Sequence, residues 1–228
     1  MQRVRKDEAQ ETRDFFQKVY FWMFLGLLIS GAISVYVASS DYLISIIILN
    51  RWIFYSLLIG ELVLVIVLAG LVKKISASTA TVLFIVYCIT TGLTLSVIFL
   101  VFTMSSIAVV FFIAAGMFGV MSLFGFFTKN DLTGIGKIFF MGLIGLVIAM
   151  LVNLFLQSSI FDFILSILGV VIFTGLTAYD IQRIKKQSLI GNQGAGEDRK
   201  KAIMGALTLY LDFINLFLSL LRLFGKRR

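Results

Sequence analysis

Apolar residues in this chain neither alternate nor mark one stripe of short helices; they run in long blocks broken by brief polar turns. A helix that crosses a bilayer needs roughly 20 mainly apolar residues. Seven segments meet that length: Phe15 to Val37, Trp52 to Val72, Ala77 to Phe102, Ile107 to Phe127, Ile135 to Phe155, Phe161 to Ile181, and Ala202 to Phe224. The pattern predicts an all-α integral membrane bundle of seven transmembrane helices. A polar N-terminal segment, residues 1–14, precedes a single transmembrane domain over 15–228. Leu43 to Leu49 is a further apolar run, read as interfacial or as an extension of a neighbouring span. No internal repeat stands out.

Composition strengthens this reading. Hydrophobic residues are 60% of the chain and charged residues 14%, whereas a soluble domain is about half apolar and a quarter charged. Mean hydropathy is +1.03, more apolar surface than one water-soluble core could hide. The net charge of +8 does not indicate nucleic acid, because the cations sit in short runs between apolar blocks rather than on a polar face beside aromatics.

The distribution of those cations predicts an orientation. Fifteen Lys and Arg fall in the N-terminal segment and the second, fourth and sixth loops, and only Arg51 falls in the alternate loops. The N-terminus is therefore expected in the cytoplasm. The polar start leads into an apolar stretch too long for a cleaved signal, so the first span reads as a signal anchor. Lys226, Arg227 and Arg228 break the charge rule if the last segment crosses fully; a re-entrant last segment would restore it.

What is missing also constrains the chemistry. A lone cysteine, Cys88, and the absence of His exclude an intrachain disulfide and a Cys/His zinc site. Any pH sensing must then fall to carboxylates. With no proline, helix breaks must come from Gly, Ser or Thr. Gly116, Gly119, Gly142 and Gly145 are expected to permit close helix packing.

Three carboxylates lie inside apolar spans, where an ionisable group is costly and by default functional. Glu61 is near the middle of the second span, with Leu57, Leu58, Leu64 and Val65 as its helix neighbours. Asp212 lies about 16 Å along a helix from Lys201. Asp180 is shallower, with Arg183 at i+3, which admits a simple ion pair. In the last span Lys201, Gly205, Thr208, Asp212, Asn215, Ser219, Arg222 and Lys226 recur at alternating spacings of three and four, which aligns them on one face. Such a stripe would not face lipid; it faces either a water-filled path or neighbouring helices that it bonds. Thr90, Thr91, Thr94 and Ser96 read as packing and back-bonding hydroxyls rather than pore lining.

Several strings carry a resemblance: Thr91-Gly-Leu-Thr-Leu-Ser96, Ala114-Ala-Gly-Met-Phe-Gly119, Thr128-Lys-Asn-Asp-Leu-Thr133, Thr174-Gly-Leu-Thr-Ala-Tyr-Asp180 and Leu207-Thr-Leu-Tyr-Leu-Asp-Phe-Ile-Asn-Leu-Phe217. They resemble the Bax inhibitor-1 family of transmembrane Bax inhibitor motif proteins, in its bacterial, YccA-like branch, over nearly everything after the polar start. The resemblance implies a bacterial plasma-membrane protein whose last helix is central, wrapped by the other six. It implies a pH-sensitive calcium leak in which Asp180 and Asp212 share a proton and gate the path, and it matches Glu61 to an acidic position in the second span. Two departures stand out. An Arg that latches onto the aspartates in some relatives is replaced by nearby Lys73 and Lys74, which cannot make Arg's planar contact; Arg183 is the other latch candidate. Val97 stands where many relatives have Pro after Leu-Ser, so a kink is not expected there.

The physics behind such a pair is general. Two carboxylates brought together in a low-dielectric site cannot both ionise cheaply. One shared proton would hold the sixth and seventh spans together; its loss would make the pair repel and draw in cations. Calcium takes about 6 to 8 oxygen ligands, so Asp180, Asp212 and Glu61, with Thr208, Asn215 and Ser219 along the path, would form a weak site suited to passage. No other cofactor is expected. The alternative is a membrane-embedded modulator of a membrane protease or another membrane partner, with no transport activity. An enzyme is not expected: two intramembrane aspartates are similar to presenilin-type proteases, but those carry Gly-x-Gly-Asp, and Leu209-Tyr210-Leu211 precedes Asp212 here.

Overall fold

In a computed structural model the chain is helical in nearly all described residues, which are 2–71, 74–188 and 195–228. The helices are α1 (Gln2–Ala38), α2 (Asp41–Ile47), α3 (Arg51–Leu71), α4 (Ala77–Leu95), α5 (Val97–Val101), α6 (Met104–Phe127), α7 (Thr133–Leu156), α8 (Ser159–Ser188) and α9 (Ala195–Phe224). Counting α4 and α5 as one crossing, seven segments are long and apolar enough to span a membrane, the seven that the hydrophobic blocks predict. The run at Leu43 to Leu49 falls largely in the short helix α2, opened by Ser40, whose side chain accepts from the Leu43 amide.

Two boundaries matter for function. α8 continues past Ile181 to Ser188, and α9 begins at Ala195 rather than Ala202. Only Ser96 separates α4 from α5, and its backbone stays in the right-handed helical region (φ −57°, ψ −24°), in keeping with the absence of a proline kink at Val97. α4 stops at Leu95; the Ser96 hydroxyl bonds the Leu93 carbonyl, and a tight Phe99 N–H to Ser96 carbonyl bond opens α5. The Ser96 hydroxyl thus takes up a carbonyl in the preceding turn, which a helix-interior serine commonly does.

The fold divides into two compact units. One comprises Met1–Val101, Gln187–Tyr210 and Arg228; the other comprises Phe102–Lys186 and Leu211–Arg227. α9 therefore contributes to both. It is also the most buried span, with 67% of its most apolar window enclosed against 6% for α3 and for α7. Residues that lipid covers are apolar on every side, whereas a helix enclosed by protein can carry a polar stripe.

In the first unit α1 packs along α4. Ser30 on α1 bonds the Cys88 carbonyl at 2.7 Å and the Tyr210 hydroxyl at 2.6 Å, and Ser34 bonds the Gly92 carbonyl at 2.8 Å. A Cβ on Gly92 would meet Ile33 and the Ser30 carbonyl, so this crossing depends on the missing side chain.

In the second unit the close approaches are made by Gly125 against the Ala178 backbone, Gly136 against the Tyr179 ring, Gly175 against Phe139, and Gly169 against Ser219. The glycines singled out from sequence serve differently. Gly116, Gly119 and Gly145 face open space, and only Gly142 meets a neighbour, Ile172. Those three lie on helix faces that lack a protein partner, so their size buys no approach.

The second unit also shows where the last helix ends. At one end, Gln182 near the end of α8 bonds the α6–α7 loop. At the other, Thr103 N–H donates to the Lys226 carbonyl and Lys226 N–H donates to Ser106, at the start of α6. The C-terminal end of α9 therefore lies at the start of α6, the opposite end of that helix from the loop that Gln182 contacts.

Candidate functional site

Asp180 and Asp212 come from adjacent helices, α8 and α9. Each is buried, and their carboxyl groups lie within hydrogen-bonding reach of each other. The meeting is possible because both helices extend beyond their apolar blocks. Asp180 thus sits about two turns inside the end of α8, at the depth of Asp212. The only other charge on Asp180 among the described residues is Arg183, whose guanidinium is 3.8 Å away and largely exposed. One carboxyl oxygen of Asp212, Oδ2, is buried with no hydrogen-bond partner. An anionic oxygen left so would be expensive.

The rest of the α9 stripe behaves otherwise. Thr208 bonds the Met204 carbonyl, Asn215 that of Leu211, Ser219 that of Asn215, and Arg222 that of Leu218. Each turns back onto its own helix at i−4; Arg222 also lies within electrostatic reach of Asp162 on α8, and Asp212 is the central stripe residue that meets another helix. Leu209 is buried, and Phe213 and Phe217 pack edge-on against Phe111, with Phe118 also against Phe213.

Glu61 lies in the first unit, half-buried on α3. Its carboxylate accepts from the Thr94 hydroxyl at 2.7 Å, so its partner is on α4. No group of three His, Cys, Asp or Glu placed to hold a metal ion occurs among the described residues. Glu61 belongs to the first unit and Asp180 and Asp212 to the second, and each acid has a polar neighbour within its own unit. Of the latch candidates, Arg183 is placed beside the pair, Lys74 is exposed in the α3–α4 turn, and Lys73 lies outside the described residues.

Two features escaped the sequence reading. Ser122 shares a face of α6 with Phe118, which touches Phe213, and Gly125, which touches Ala178. Its hydroxyl is buried without a partner, so the wall formed by α6 carries a second unsatisfied polar atom. A single serine in an apolar helix gives no periodic signal. The other feature is a clamp at the end of α8. Gln182 accepts from the Leu132 amide at 2.9 Å and donates to the Asn130 carbonyl at 2.7 Å, Lys185 donates to the Phe126 carbonyl at 2.7 Å, and Lys186 pairs with Asp131 at 2.7 Å. Asp131 also accepts from the Thr133 amide and hydroxyl. These bonds, Lys186 first, hold the Asp131 carboxyl down at about 2. The pairing joins residues 50 or more apart, which local pattern does not reveal.

Seven membrane-spanning helices, the last the most enclosed and carrying a buried acid near another, define a polytopic α-helical membrane protein. Comparison with known proteins gives the family. Residues 12–228 match the profile described as inhibitor of apoptosis-promoting Bax1, and the chain belongs to this Bax inhibitor-1 family. It is 48% identical over 215 residues to the inner membrane protein YbhL of Escherichia coli, covering 94% of this chain and 92% of that protein. It is 44% identical over 223 residues to a protein of Borreliella burgdorferi (98% and 96% covered), and 39% identical over 224 residues to one of Deinococcus radiodurans (98% and 95%).

Proposed function

We propose that this protein is a pH-sensitive calcium leak of the bacterial inner membrane, with its N-terminus in the cytoplasm, gated by the Asp180–Asp212 pair. The observation that carries this reading is the meeting of two buried carboxyls from different helices, one with an oxygen that has no other partner. With one proton between them the acids act as a bond between α8 and α9. Without it they repel, and Arg183 is the cation placed to take up Asp180 alone. Separation of the acids leaves carboxylate oxygens that attract a cation but do not encage it, as conduction requires. Asn215, Thr208 and Ser219 could join such a path by exchanging their i−4 bonds for bonds to the ion's water. Glu61 on α3 is a further acid that a permeating cation would meet.

The test is calcium entry into liposomes of zwitterionic lipid carrying the purified protein, measured from pH 5 to pH 8. Entry should be slow in acid and rise with pH. Entry that falls as pH rises would reverse the sign of the gate and sink the proposal, and calcium-tight liposomes at every pH would remove the leak altogether.

A further inference from the structure

The second unit has an open groove of about 560 Å³ between α6, α7 and α8. Its walls are apolar, with Met117 and Phe124 from α6, Ile135 and Phe139 from α7, and Val171 and Tyr179 from α8. Phe124, Ile135 and Val171 are exposed along it, on helices that face lipid, so the groove opens sideways into the bilayer. At one end it is closed by Asn130 and Asp131 of the α6–α7 loop, where Lys186 reaches across to Asp131. Lys129 adjoins them and is exposed. Beside that end of the groove stand two lysines against one aspartate, both members of the ion pair solvent-exposed.

An apolar slot ending in a positively charged rim matches one occupant, an acyl chain with an anionic head. We infer that the α6–α7–α8 groove binds an anionic phospholipid, one chain along Phe124, Ile135 and Val171 and the phosphate at Lys129 and Lys186. Basic pockets between spans take such heads by charge, each lysine contributing at the surface on the order of fivefold in affinity. Gly125 packs on the Ala178 backbone and Gly136 on the Tyr179 ring, so the helices that wall the slot are held in place before a lipid enters, which lowers the cost of binding one.

The test is native mass spectrometry of the detergent-solubilised full chain with added phosphatidylglycerol or phosphatidylcholine of matched chains. The wild type should retain phosphatidylglycerol at least about fivefold better. Lys186→Gln and Lys129→Gln should each lower that preference several-fold. Val171→Trp, which fills the slot, should reduce retention of both lipids, whereas Leu62→Trp on exposed α3 should leave it unchanged. Equal retention of the two lipids by the wild type, or a preference that survives both lysine changes, would overturn the inference. Since the readout is lipid retention, it stands or falls apart from any calcium flux.

Discussion

Asp131 shows how a single exposed carboxylate can be held by its surroundings. Its pKa lies below the ordinary 3.8, at about 2, because Lys186 and Thr133 bond the ionised form. For a depressed acid, the stabilisation is complete above the unfolded value and is lost as pH falls through the folded one. The Lys186–Asp131 link of the clamp should therefore hold until the pH drops from about 4 towards 2, while the Gln182 and Lys185 bonds to the backbone do not depend on it. A carboxylate titration of Asp131 followed by NMR should show a midpoint near 2, moving upward in Lys186→Gln; an unmoved midpoint would remove Lys186 as the main cause. Glu61 offers a second residue-scale test. Glu61→Gln keeps an acceptor for Thr94, so thermal stability should change by less than about 1 kcal/mol. If Glu61 lies on the ion path, calcium entry should fall several-fold while its pH dependence persists.

At the scale of elements, the spans were legible because bilayer thickness imposes a length that hydrophobic blocks display directly. Their ends were not. α8 and α9 run into polar sequence around Arg183, Lys186 and Arg199, where nothing apolar marks the helix, and that extension lets Asp180 meet Asp212. Glycine roles were unreadable for a related reason: a helix face shows its partner only in the fold. Gly125→Ala would push a Cβ into the Ala178 backbone, where neither side can rotate away. It should cost about 1–3 kcal/mol, seen as a lower unfolding temperature in detergent. Gly119→Ala, facing open space, should be neutral or slightly stabilising, since alanine favours helix. Equal effects of the two would contradict the packing described for α6 and α8.

For the whole molecule, the polar stripe on α9 was legible from spacing alone, and it signalled an enclosed last helix. Both acids stood out as ionisable groups inside apolar spans, though their pairing came from family likeness rather than from spacing. Which stripe residues reach another helix depended on rotamers that spacing does not encode; all but Asp212 among the central ones fold back on α9. Where α9 ends has a direct consequence. Lys226 lies at the start of α6, the end opposite the α6–α7 loop, so a full crossing would set it against the charge bias. A cysteine placed at Asn130 and one placed at Lys226 should label from opposite sides of sealed vesicles, and labelling from the same side would refute the crossing.

The central claim is that one proton shared by Asp180 and Asp212 controls passage, and a mutant cycle on calcium entry tests it most directly. Entry would be measured across pH for wild type, Asp180→Asn, Asp212→Asn and the double variant. If the two acids act as a unit, either single change should abolish most of the pH dependence, and the double variant should add little further, a coupling as large as the single effects themselves. Additive effects, or a pH dependence that survives in both single variants, would contradict the shared proton and leave the pair as a structural contact between α8 and α9.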